Sequence, residues 1–206
     1  PAGMRSVPGK EPGVTSGYSI MRRNYPEATG PLIVHRLDMA TSGLMVIAKT
    51  EFAYHRLQEQ FASHQIQKKY EAIGCVKEGS IQPEGILSLP LMPDYLDRPR
   101  QIVNHEQGKE AITEYKVLGN EENDAFGNKE NEGNNQHLRL ALYPQTGRTH
   151  QLRVHCAHRE GLNAPILGDP RYGGEKAPRL YLLAESIRFT HPLSGKEIFI
   201  ERKADF

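Results

Sequence analysis

Two alternating runs constrain this chain more than any other feature: KEAITEYKVL at 109–118 and HLRLALYP at 137–144. Ala111, Thr113, Tyr115 and Val117 share one side of the first, and Leu138, Leu140 and Leu142 one side of the second. A period of two is the pattern of a strand with one buried face. Between them lies EENDAFGNKENEGNNQ, 121–136, rich in Asn and Gly and without periodicity. The reading is an antiparallel pair joined by a long acidic hairpin-loop insert.

The remaining segments extend this sheet. PLIVHRL (31–37) and GLMVIAK (43–49) are read as two short buried strands around a polar turn. Thr50 is a predicted N-cap for a helix over EFAYHRLQEQFASH, with Phe52, Ala53, Leu57 and Phe61 on one face. KKYEAIGCV (68–76) alternates as a strand, and GILSLPLM (85–92) and PRQIVN (99–104) are short extended segments. QTGRTHQLRVHCAHREG (145–161) predicts a helix capped by Thr149 and stopped by Gly161. LYLLAESIRF (180–189) and EIFIERK (197–203) are closing strands, joined by THPLSGK. The start, PAGMRSVPGKEPGVTSG, reads as loop, so further strands are expected upstream of Pro1. Strands precede, separate and follow two helices. That order predicts an α+β fold with a largely antiparallel mixed sheet and flanking helices, in a single domain over 1–206.

Composition narrows the function. Of the 206 residues, 37% are apolar and 25% charged, which suits a globular chain. The apolar runs are far too short to span a bilayer, so no membrane association is expected. Cys75 and Cys156 form no metal-type spacing and no disulfide framework, and a reducing cytoplasm is the expectation. Net charge is +1, but 121–136 holds five acids and one Lys, leaving +5 for the rest. Arg139, Arg148, Arg153 and Arg159 fall in one acid-free stretch, which suits a basic face and a polyanion partner, although on composition alone an ordinary solvated surface is the favoured reading. There is no Walker or Rossmann glycine pattern, no nucleophile elbow and no Cys-x-x-Cys. His150, His155 and His158 cluster without an acid or a zincin pattern, so no metal is expected.

The stretch HRLDMATSG, 35–43, places Asp38 where a strand would end and a turn begin. A carboxylate there either caps the backbone N–H groups of Ala40 and Thr41 or does chemistry at the rim of a sheet. On residue type alone the capping role is favoured. Tyr70 reads equally as a half-buried strand aromatic, and Arg153 as a helix surface charge.

The blocks HRLDMATSGLMVIAKT, KKYEAIG, LPLMPDYLDRPRQ, GRTHQLRVHCAH, LGDPRYGG and FTHPLSG, in this order, resemble the RluA-type pseudouridine synthases. The resemblance runs over nearly the whole chain and implies the pseudouridine synthase catalytic-domain fold. Within the family, MATSG and DRPRQ are most similar to the member that modifies both ribosomal and transfer RNA. The resemblance implies an isomerase of uridines in structured RNA, a 23S rRNA hairpin and/or a tRNA anticodon stem-loop, that needs no cofactor. The alternative is a catalytically idle RNA-binding module of the same fold. By position, Asp38 matches the catalytic aspartate, Tyr70 the tyrosine that packs on the target base, and Arg153 the arginine paired with the aspartate. Arg36 matches the residue that fills the gap left by the flipped base. His35, Arg148 and His150 are the further RNA-binding candidates. RNA is the expected partner of a monomer, with no protein partner.

Overall fold

The computed structural model describes residues 1–9, 13–76, 79–121 and 136–206. In chain order its elements are α1 (Gly17–Asn24), β1 (Ser42–Gly43), α2 (Glu51–Ala62), β2 (Gln67–Val76), β3 (Glu84–Ser88), β4 (Leu91–Pro93), β5 (Gln101–Val103), β6 (Ile112–Glu121), β7 (Gln136–Pro144), α3 (Gln151–Ala157), β8 (Leu182–Thr190) and β9 (Glu197–Glu201). They group into two compact units, 1–68 with 184–203 and 69–183 with 204–206. The chain passes between the units within β2, within β8 and again after Lys203.

The second unit is built on an antiparallel sheet in the order β3, β6, β7, β2. Leu138, Leu140 and Leu142 of β7 are all buried, as their alternation requires. β6 and β7 pair from Thr113↔Pro144 to Glu121↔His137, with an irregularity at Val117–Gly119. Of the acidic insert expected at 121–136, residues 122–135 lie outside the described residues. β4 and β5 form a separate small hairpin. Ile73, Cys75, Leu167 and Tyr181 make one apolar cluster of this unit, and Leu91, Ala111 and Val154 another.

α3 differs from expectation at both ends. Its N-cap is His150, in the left-handed region at φ 53° and without a side-chain cap bond, rather than Thr149. The Gln151 side chain closes the entry instead: its Oε1 accepts from Arg148 N (2.9 Å) and the Thr146 hydroxyl (2.8 Å). The helix stops at Ala157, ahead of Gly161. Leu162 N–H and Ala164 N–H take the carbonyls of His155 and Cys156, so further helical donors are not needed there.

In the first unit, β8 and β9 pair antiparallel, and Leu44 N–H donates to Ala184 O. Thr50 caps α2 as expected, accepting from Ala53 N. Ala53, Leu57 and Phe61 pack with Val34, Ala48 and Phe189, but Phe52 is 54% exposed. Five residues at 100° each put Phe52 about 140° round the helix from Leu57. α1 was not foreseen. Its signal is local, a Ser16–Ser19 capping box in a segment without apolar periodicity.

The two strands expected at 31–37 and 43–49 reduce to β1 and a single bridge, Ile33↔Ile47. Leu32 takes φ 62°, which interrupts the first run, and Gly43 takes φ 116° at the end of β1. Leu32 and Val34 are buried all the same. Their apolar run reported burial rather than a ladder.

Candidate active site

Asp38 sits half-buried on a turn fixed by backbone bonds. Thr41 N–H donates to the Asp38 carbonyl oxygen at 2.9 Å, so the carbonyl rather than the carboxylate takes this amide. Buried Ser6 grips the preceding residue twice: its hydroxyl donates to Leu37 O (2.9 Å) and its Oγ accepts from Leu37 N (3.1 Å). Gly3 N–H donates to Met39 O at 2.7 Å on the other side of Asp38. Farther along, a Cβ on Gly43 would lie 2.3 Å from Ala184 O, so the glycine of TSG is a packing requirement as well as a conformational one.

His35 ties the two limbs of this turn together. Its Nε2 accepts from Val46 N–H at 2.9 Å, and its ring lies 4.8 Å from that of Phe61. An accepting Nε2 requires the neutral imidazole. Consistently, burial first and the Lys68 charge second push the His35 pKa down to about 4. Arg36 points to the exposed side of the same turn.

Tyr70 lies on β2, opposite Leu142 of β7, and is half-buried. The next position, Glu71, faces Arg139, which also holds Glu121 and donates to Phe206 O at 2.7 Å.

Arg153 is nearly buried on α3, in a setting the sequence reading did not foresee. Its Nε and Nη2 donate to Oδ2 and Oδ1 of Asp169, both at 2.7 Å. The ring of Tyr172 lies 5.1 Å from the guanidinium carbon. Tyr172 Oη accepts from Gln101 N–H and lies 2.8 Å from His150 Nδ1. Burial, then the charge of Arg153, push His150 down to about 4. Asp169 and Tyr172 come from LGDPRYGG, where the glycines are the local signal: a Cβ on Gly168, at φ 76°, would fall 1.7 Å from Arg179 O.

The basic face is smaller than expected. Arg139 and Arg153 are engaged with carboxylates, whereas Arg148 and Arg159 are exposed. Arg148 Nε donates to Glu110 O at 2.9 Å. His150 is buried and neutral near pH 7, so it brings no charge to a phosphate.

Residues 1–158 match the family model described as RNA pseudouridylate synthase. The chain belongs to that family. It is 40% identical to the dual-specificity RNA pseudouridine synthase RluA of Escherichia coli K12, over 100% of this chain and 87% of that protein. Identity to RluA of Yersinia pestis is 38%, over 100% and 93%, and to RluA of Haemophilus influenzae 36%, over 100% and 87%. Among solved structures, human RNA pseudouridylate synthase domain containing 4 superposes with a TM-score of 0.72 at 24% identity, covering 98% of this chain and 82% of that one. Human RNA pseudouridylate synthase domain containing 1 gives 0.73 at 22%, covering 98% and 84%. These two show the fold, an α+β pseudouridylate synthase domain.

The histidines of α3 of this synthase serve three separate purposes. His155 bonds Leu89 O, His158 Nδ1 accepts from Glu160 N, and His150 faces Tyr172. Among the described residues, the one group that could offer three metal-ligand atoms is Cys75, His137 and Glu175, all within 4.8 Å of one another. Within it, His137 Nε2 lies 3.2 Å from Glu175 Oε2. No described helix is long and apolar enough to cross a membrane.

Proposed function

We propose that this RNA pseudouridine synthase isomerises uridines in small stem-loops of ribosomal RNA, transfer RNA or both, with Asp38 as its nucleophile. The observation that carries the reading is the match of the entire chain to relatives named as dual-specificity enzymes, with HRLD, KKYEA and GRTHQLR in the family's order.

The reaction breaks the N1–C1′ bond of uridine, turns the base and joins C5 to C1′. A proton leaves C5 and N1 gains one, so nothing is oxidised, reduced or hydrolysed. Asp38 serves as the ionised carboxylate, attacking C1′ or C6 or assisting a glycal route. The pinned turn around it supports that role, because a nucleophile must be held in line with the bond it attacks. Tyr70 stacks on the base and handles the C5 proton. Arg153 favours the ionised Asp38. Arg36, exposed beside the catalytic turn, fills the stack that the base leaves, offsetting an unstacking cost of a few kcal/mol. Arg148 contacts phosphate. His35 acts by holding the turn, and His150 by its contact with Tyr172, each as a neutral ring. Residues 1–206 act as one catalytic domain, with 121–136 as an insert, in a cytoplasmic monomer.

The test is Asp38→Ala, assayed with a uridine-containing stem-loop by carbodiimide labelling of pseudouridine and, in parallel, by RNA binding. Conversion is abolished and binding is little changed. Turnover above trace level by this variant overturns the assignment.

A further inference from the structure

Resting on that reading, we infer that Asp169 and Tyr172 are positioning residues that hold Arg153 in one orientation for the isomerisation.

Asp169 is fully buried and meets the Arg153 guanidinium edge-on, with two parallel bonds of 2.7 Å. Its Oδ1 also accepts from Arg171 N (3.0 Å) and Tyr172 N (3.3 Å), so the carboxylate is locked to its own loop. That loop is closed by Gly174 N–H to Asp169 O and Gly168 N–H to Glu175 O, both 2.8 Å. Tyr172 adds a ring beside the cation. Its hydroxyl accepts from Gln101 N–H and lies 2.8 Å from Nδ1 of His150. The edge and the aromatic contact come from one loop, and the ring's polar tip is fixed by two other segments, at Gln101 and His150.

A buried ion pair is a poor device for stability, because desolvating two charges consumes much of what their attraction returns. A planar fork gripped at two nitrogens has lost its rotational freedom, which is an advantage where hydrogen-bond donors must point one way. Asp169 also balances the charge of Arg153. Arg153 therefore acts by direction rather than as a bare positive charge, and a lysine cannot replace it.

Asp169→Asn keeps the acceptor at Oδ1 for the loop amides but turns Oδ2 into an N–H donor facing Arg153 Nε. On a stem-loop substrate, kcat falls about 100-fold, the scale of a misplaced group, with KM nearly unchanged. The acidic limb of the pH profile shifts, because the proposed influence of Arg153 on the ionisation of Asp38 depends on the balanced charge and the aim of the guanidinium, and both change in this variant. The double variant Arg153→Ala/Asp169→Asn is no slower than Arg153→Ala alone, and melts higher than Asp169→Asn because the clash of the Asn amide with the Arg153 Nε donor is gone. Tyr172→Leu, which leaves the carboxylate in place, lowers kcat with the same pH signature and serves if Asp169→Asn does not fold. Multiplying losses in the double variant, or a wild-type kcat and pH profile in Asp169→Asn or Tyr172→Leu while Arg153→Ala is inactive, overturn the inference. A fully active Arg153→Ala instead overturns the underlying role of Arg153.

Discussion

Acid should loosen the turn that carries Asp38, through His35, before carboxylates titrate. In the folded protein His35 Nε2 accepts Val46 N–H, and its pKa is near 4 against 6.5 for an ordinary histidine. Above pH 6.5 both folded and unfolded chains carry the neutral ring, and the contribution is intact. Between 6.5 and about 4 the unfolded chain binds the proton first, so stability is lost as pH falls. At about 1.4 kcal/mol per pH unit, that gap costs roughly 3 kcal/mol by the time pH reaches about 4. This is a sizeable part of the 5–15 kcal/mol typical of a domain. A protonated Nε2 would also set two donors against each other at Val46, so the 35–46 limb should open locally. His150 and His155 are lowered to the same level and add parallel losses, so the assay must isolate His35. His35→Gln keeps an acceptor but cannot titrate. Chemical denaturation of wild type and variant from about pH 7.5 to about pH 4.5 should give curves that differ by nearly one bound proton in this window. Parallel losses in the two proteins refute the argument, as does wild-type stability that does not change between pH 6.5 and 5.

Tyr70→Phe keeps the ring and removes the hydroxyl; single-turnover assays should show the glycosidic bond breaking without pseudouridine release, and full activity would reduce Tyr70 to a packing role. Gly168→Ala forces a Cβ into Arg179 O at a left-handed backbone position, and should cost several kcal/mol in denaturant unfolding. A loss under about 0.5 kcal/mol would show that the 168–175 loop gives way freely. Replacing 122–135 by a tight turn removes four acids and one Lys. RNA should bind slightly tighter at low salt with kcat unchanged, and a large loss of activity would place the insert against substrate.

Periodicity and capping carried most of the fold. The alternation of β6 follows from which face of a pleat is buried, β7 keeps its leucines inside although His137 and Ala141 on its other face are buried too, and Thr50 caps α2 with its own side chain. The candidate residues Asp38, Tyr70 and Arg153 were legible through ordered motifs, since each motif is contiguous in the chain. What the residues touch was not. The run at 31–37 reads as a strand because burial and strand pairing leave the same apolar signature, and only the backbone at Leu32 separates them. Thr149 was a sound local cap, but Gln151 reached the turn first. Arg153 and Asp169 are sixteen residues apart, and Ser6 and Leu37 thirty-one. No local pattern encodes such pairs, because their energy comes from burial and geometry that exist only once distant segments are packed together.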